Sequence, residues 1–457
     1  MNQVAEAVGR TNVAEAAHRA KAAARLLAIV PGESRDAALK AAAYAIEERK
    51  AEILIANQRD CDLAIRGVEA GVMSKALFER LRIGERGIAQ MATGVREVAA
   101  LADPLGRSLA VTELDDGLTL YKESCPIGVV GIVFESRPEI VPQIAALALK
   151  SGNAVILKGG TEALHTNQIL VSIWSDALTL FSDIPPDVIK LLYTREDVDE
   201  MLSLTGQIDL IIPRGSQKFV HYIAEQSSIP VLGHGEGICH IYVDRAADPH
   251  KALNISFDSK VQYPAACNSM ETLLVHEEAA ALLPELITRF REVGVEVRGC
   301  PRTMNLGGAL GVEPASEDDW ATEYSDLIIS IKIVASLEEA IEHIDRYGSG
   351  HTEAIITEDG EAASRFMDRV DAAGVYHNAS TRFADGFRYG FGAELGISTS
   401  KLHARGPVGL EGLTTYKYKL IGNGQTVASY VRGERTFKHR HLSRVIGEGD
   451  SGPTSDG

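Results

Sequence analysis

The sequence predicts an α/β fold with parallel sheets and a small antiparallel element. Three observations carry that prediction. The first hundred residues are rich in alanine and place Leu and Ile at spacings of three and four, the period of a helix. A strand, helix and strand follow one another in "PIGVVGIVFESRPEIVPQIAALALKSGNAVILKGG", with apolar runs of the kind that parallel sheets bury on both faces. Between these two regions "SLAVTELDDGLTLYKESC" alternates on either side of Asp115-Asp116-Gly117, a hairpin signal.

In chain order, helices are predicted over 12–27 and 35–57, separated by "VPGES". The βαβ unit places strands at 129–134 and 154–158 and a helix opened by Pro138. Helices follow at 164–181 and 217–227, with strands at 188–193, 210–213, 230–232 and 240–243. A second α/β region spans 250–405, and "TTYKYKLIGNGQ" (414–425) is a late strand. The basic run "RGERTFKHRHLSR" (432–444) is expected to be a solvated tail, and 445–457, lacking apolar anchors, is expected to be disordered. No internal repeat at a solenoid period is found.

Composition narrows the function classes. With 457 residues, two or three domains are expected. The chain is 45% hydrophobic and 24% charged, has no apolar run of about 18 residues, and opens without a basic region and apolar core. No membrane span or secretory signal is indicated, and a cytoplasmic location is expected. Five scattered cysteines (61, 125, 239, 267 and 300) form no CxxC pair, which fits free thiols in a reducing compartment and predicts no metal site. A formal net charge of −17 argues against a nucleic-acid surface.

One cysteine is set apart. In "DSKVQYPAACNSMETLLVH", Cys267 follows Pro264-Ala265-Ala266 and precedes Asn268-Ser269, so a tight turn delivers its sulfur to a polar step instead of an apolar run. Asn268 and Ser269 then start a helix or aim backbone N–H groups at a substrate. The dinucleotide signature G-x-G-x-x-G is absent after the first strand, and "GHGEGI" (233–238) is a poor imitation because a strand-like segment follows it. Lys158 stands at the carboxyl end of a strand, where open α/β sheets bind ligands. Gly215-Ser216 joins a strand to a helix, an arrangement suited to anions.

The stretches "CPIGVVGIVFESRPEI", "GNAVILKGGTEALHTN", "YPAACNSMETLLVH" and "YGFGAELGISTSKLHARGPVGLEGLTTYKY" resemble the γ-glutamyl phosphate reductases, a divergent branch of the aldehyde dehydrogenase superfamily. The likeness runs from about residue 10 to 425. It implies an aldehyde dehydrogenase-like α/β fold: a Rossmann-type cofactor domain (1–108 and 126–240), an α/β catalytic domain (241–408) and a small β oligomerisation element (109–125 and 409–430). It further implies Cys267 as nucleophile, with Asn268 or Ser136 as the second oxyanion donor beside the Cys267 backbone N–H. Cofactor contacts fall to Lys158, Thr161, Gly215, Ser216 and Glu323. Arg137, Arg382, Lys401 and Arg405 become candidates for the substrate anions, and the other four cysteines are expected to be packing residues.

The reaction implied is NADPH-dependent reduction of γ-glutamyl phosphate to glutamate semialdehyde through a Cys267 thioester, in proline biosynthesis. A homo-oligomer, dimer or tetramer, and transient contact with glutamate 5-kinase are also implied. Two departures from ordinary aldehyde dehydrogenases matter. Gly233 stands where hydrolytic members carry a base, and Thr161 stands where members that prefer NAD carry an acid. A hydrolytic, NAD-dependent aldehyde dehydrogenase and a silent scaffold are the rival readings; Gly233 opposes the first, and retention of Cys267 and Lys158 opposes the second.

Overall fold

The computed structural model describes residues 12–71, 73–233 and 235–442. The described chain forms two compact units. One comprises the residues up to Ile211, Ser228–Pro230 and those from Leu410 onward; the other comprises Ile212–Ser227 and Val231–Gly409.

The first unit opens with the helix Val13–Leu27, capped by Asn12, whose side chain accepts the Glu15 N–H at 2.9 Å. Val13, Ala17, Ala20, Ala24 and Leu27 form its buried stripe. The single helix predicted over 35–57 is two, Gly32–Glu48 and Lys50–Glu69. Arg49 breaks them at φ −96°, ψ 21°. Its guanidinium holds Glu52 at 2.8 Å and Asp176 at 2.7 Å, the second a long-range tie that no periodicity announces.

The predicted βαβ unit forms. Val129–Phe134 and Ala154–Lys158 are parallel, with Val129 opposite Ala154, and Ile140–Lys150 is the helix between them. Their four-stranded sheet runs Ile189–Leu191, Ala154–Lys158, Val129–Phe134, Leu210–Arg214. In chain order that is 3-2-1-4, half of a doubly wound sheet. The strand expected at 188–193 is shortened to Ile189–Leu191. None forms over 230–232; Pro230 instead offers its carbonyl to the Ile211 N–H at 2.9 Å.

The hairpin joins Ser108–Asp115 to Leu118–Pro126 through Asp116 and Gly117, whose φ of +68° suits glycine. The late strand expected over 414–425 forms as Thr414–Ile421 and pairs antiparallel with Leu118–Pro126. The segment expected as a solvated tail over 432–444 is exposed throughout its described residues, 432–442, but it is not without structure. Arg440–Leu442 pairs with Ser108–Asp115 as a fourth strand. The acidic turn supplies the reason: Asp115 accepts the Tyr430 hydroxyl at 2.9 Å and Arg435 at 3.2 Å. The tail expected to be disordered over 445–457 lies outside the described residues.

In the second unit a seven-stranded sheet runs Glu313–Pro314, Glu296–Gly299, Ile328–Val334, Met270–His276, Cys239–Val243, Thr352–Ile356, Gly374–His377, all parallel. Both faces are covered. Leu286, Ile287 and Phe290 pack with Leu273 and Ile331 on one side; Tyr242, Leu274, Ile341 and Phe366 pack on the other. Met270–His276 is buried at every residue, which is why Leu273-Leu274-Val275 is apolar without alternation and why Glu271 is paired, with buried Lys260 at 2.6 Å. No described helix is long and apolar enough to cross a membrane.

Candidate active site

Cys267 lies in the turn between the helix Pro249–Val261 and the strand Met270–His276. Two backbone bonds shape it: Ala266 N–H to the Tyr263 carbonyl at 3.2 Å and Ser269 N–H to the Ala266 carbonyl at 2.8 Å. The helix start considered for Asn268-Ser269 does not occur, because the chain enters a central strand at Met270 and its backbone groups go to the sheet.

The register of the sheet assembles the rest. Cys239 pairs with Met270 and His240 with Glu353, so the amino ends of three adjacent parallel strands begin side by side. His240 donates its backbone N–H to Glu353 at 2.7 Å and holds the same carboxylate at 3.0 Å through Nδ1, a fully buried pair that locks this register. Residues just ahead of those strands therefore converge. Cys267 Sγ lies 3.2 Å from His351 Nε2, and the Cys239 thiol donates to the Cys267 carbonyl at 3.3 Å. Gly237 presses on the same turn: a Cβ there would lie 2.0 Å from the Cys267 carbonyl oxygen. Gly350, at φ +69°, turns the chain into His351.

The thiol sits in a field of opposed charges. Burial pushes it up to about 12, with Glu323 and Glu394 adding to the rise and Arg214 and Arg382 opposing it. Its proton therefore stays on sulfur at neutral pH. Glu394 is itself raised by burial and accepts the Gly386 N–H at 2.8 Å. Arg382 is buried in the short turn Thr381–Phe383 and donates to Gln262 at 2.9 Å; desolvation, then Arg388, pulls it below its ordinary value.

Among the residues singled out in the sequence, Glu323 and Arg382 act on Cys267. Asn268 adjoins it, buried, and donates Nδ2 to the Ala384 carbonyl at 2.9 Å. Lys401 and Arg405 instead pair with Asp371, Arg405 at 2.8 Å. Gly215 and Ser216 lead into the helix Gln217–Gln226, which the Ser216 side chain does not cap.

In the other unit Lys158 ends its strand, and burial lowers its ammonium against the pull of Glu162 and Asp197. Thr161 is exposed at the start of a 3-10 turn. Arg137 is half-buried. Ser136 is buried at φ +33°, a strained conformation for a residue with a side chain. Glu162 holds it there, accepting the Ser136 N–H at 2.8 Å and its hydroxyl.

Sequence reasoning missed His351, Arg214, Glu394 and Gly237 and left Cys239 among the packing residues. One signal was available, "YGSGHTEAII", where a histidine follows a glycine-rich turn and precedes an apolar strand. Among the described residues no group of three or more His, Cys, Asp or Glu side chains is placed to hold a metal ion.

Comparison with known proteins sets this site in its family. The profile of the aldehyde dehydrogenase family matches residues 2–304. A γ-glutamyl phosphate reductase from Synechococcus sp. (strain JA-3-3Ab) is 54% identical over 430 residues, covering 94% of each chain. The crystal structure of γ-glutamyl phosphate reductase from Thermotoga maritima superposes with a TM-score of 0.88 at 41% identity, over 91% of this chain and all of that one. A glyceraldehyde-3-phosphate dehydrogenase from Methanocaldococcus jannaschii, complexed with NADP, shares the fold at 18% identity and a TM-score of 0.62, covering 91% of this chain and 96% of its own. The chain belongs to the aldehyde dehydrogenase family and, within it, to the γ-glutamyl phosphate reductases.

Proposed function

We propose that the chain reduces γ-glutamyl 5-phosphate to glutamate 5-semialdehyde and phosphate with NADPH, through a thioester on Cys267, the second step of proline synthesis from glutamate. The observation that carries this reading is the Cys267 thiol itself, presented by a turn and acted on by the positive charges of Arg214 and Arg382. An acyl phosphate with an α-carboxylate is an anion at both ends, and those guanidiniums, with Arg137, supply the attraction. Lys401 and Arg405 would have to exchange Asp371 for substrate.

Attack of sulfur on the acyl carbon forms the S–C bond, and the C–O bond to phosphate breaks. The oxyanion of that step is met by the Cys267 backbone N–H. Asn268 and Ser136, the side-chain alternatives, would have to leave Ala384 and Glu162 to help. Gly233 keeps a carboxylate base away from the thioester, so water is not activated against it.

The residues fit a nicotinamide dinucleotide. The Gly215-Ser216 turn leads into the amino end of the helix Gln217–Gln226, whose dipole suits a pyrophosphate, and the partly desolvated Lys158 suits a ribose. Glu323 is assigned to the nicotinamide ribose. When bound, the cofactor supplies the hydride that reduces the thioester. Thr161 admits a 2′-phosphate, and Glu162, the acid next to it, is turned to Ser136. The four-stranded sheet built on the hairpin, with Thr414–Ile421 exposed at one edge, is the proposed oligomer contact, and glutamate 5-kinase is the proposed transient partner. The test runs the reaction backwards. Glutamate semialdehyde should reduce NADP only when inorganic phosphate is present; reduction without phosphate would exclude acyl phosphate chemistry.

A further inference from the structure

We propose that His351 is the general base that takes the Cys267 proton as sulfur attacks the substrate, an assignment that rests on Cys267 being the nucleophile. Its Nε2 stands 3.2 Å from Sγ, within reach of the proton to be moved. The role calls for the tautomer protonated at Nδ1, and the neighbouring groups accommodate it. Nδ1 lies 2.8 Å from Thr352 Oγ1, and the Cys239 thiol, 3.7 Å from Nδ1, spends its own proton on the Cys267 carbonyl. With Nδ1–H donated to the threonine hydroxyl, which can accept it, the Nε2 lone pair faces Cys267.

The need for a base is independent of this geometry. A thiol raised by burial and by Glu323 and Glu394 is not supplied as thiolate, and Arg214 and Arg382 do not overturn that balance. The electrons and protons balance without a further reactant. The S–H bond breaks toward Nε2 as the S–C bond forms, and the imidazolium returns the proton to the phosphate oxygen as the C–O bond breaks. After hydride addition the aldehyde leaves, and the released thiolate takes a proton from solvent through the same imidazole.

Two measurements test the assignment. In the wild-type protein, iodoacetamide labelling of Cys267, mapped by mass spectrometry, should rise with pH and then level off once the imidazole is neutral. A thiol reacting only as free thiolate would keep rising tenfold per pH unit up to pH 10, and that result would overturn the proposal. In His351→Gln the single-turnover phosphate burst should slow by about 10²–10⁴-fold with little change in KM, and in His351→Ala added imidazole should restore part of it. A burst within threefold of wild type, or a correctly folded His351→Ala protein that imidazole does not rescue, would also overturn it. Labelling that tracks activity loss at another cysteine would instead remove Cys267 as nucleophile, a failure distinguishable from that of the histidine alone.

Discussion

The two parallel sheets carry their candidate chemistry at opposite ends of their strands. In the four-stranded sheet, Ser136 lies just past Val129–Phe134 and Lys158 closes Ala154–Lys158, both at carboxyl ends. In the seven-stranded sheet, Cys267 comes before Met270–His276, His351 before Thr352–Ile356, and Gly237 before Cys239–Val243, all at amino ends. A general rule puts ligands at the carboxyl ends of open α/β sheets, and it finds Lys158 from sequence alone. No such rule points to amino ends. There the turn must be shaped residue by residue, and the positive φ at Gly350 and the close approach at Gly237 are the traces of that shaping.

The sharpest way to break the comparison is at the sulfur. Cys267→Ala should reduce turnover at least about 10⁴-fold while leaving NADPH binding and the melting temperature nearly unchanged, because the substitution removes a single sulfur atom from a turn. Cofactor fluorescence and calorimetry check this, and residual activity above a hundredth of wild type would move the nucleophile elsewhere.

A methyl group at the amino-end turn comes next. Gly237→Ala places its Cβ 2.0 Å from the Cys267 carbonyl oxygen, so backbone must move. A loss of about 10²-fold in kcat is expected from a displaced sulfur, with a destabilisation of about 1–3 kcal/mol. Gly235→Ala is the control, since nothing lies within 4 Å of a Cβ there. Equal effects of the two substitutions in kinetics and thermal denaturation would mean that the close approach at Gly237 does not position the thiol.

The smallest effect is expected at the carboxyl end. Thr161→Glu adds charge to an exposed position, and should weaken NADPH binding relative to NADH by about 1–3 kcal/mol. Titration calorimetry with both cofactors decides the matter, and equal losses would take residue 161 away from the 2′-phosphate.

Much of the architecture was legible because it is local. Helical spacing delimited Val13–Leu27, a two-residue acidic turn with glycine announced the hairpin, and apolar runs marked strands buried on both faces. The polar setting of Cys267 also lies within a few residues of the chain. Other features stayed hidden because they depend on partners distant in sequence. Arg49 ends a helix while holding Asp176, and a basic segment becomes the strand Arg440–Leu442 beside an acidic hairpin.

Alone, the sequence determined that a thiol would be offered by a turn and that a lysine would close a strand, since both follow from neighbours along the chain. The meeting of Cys267 with His351, 84 residues apart, was decided only by the tertiary structure. Parallel strands connected by crossovers bring together the residues that precede them, and the buried pair His240 with Glu353 sets how far each strand slides. Register is a property of the folded sheet. A histidine ahead of one strand cannot announce which cysteine it will face until that register exists.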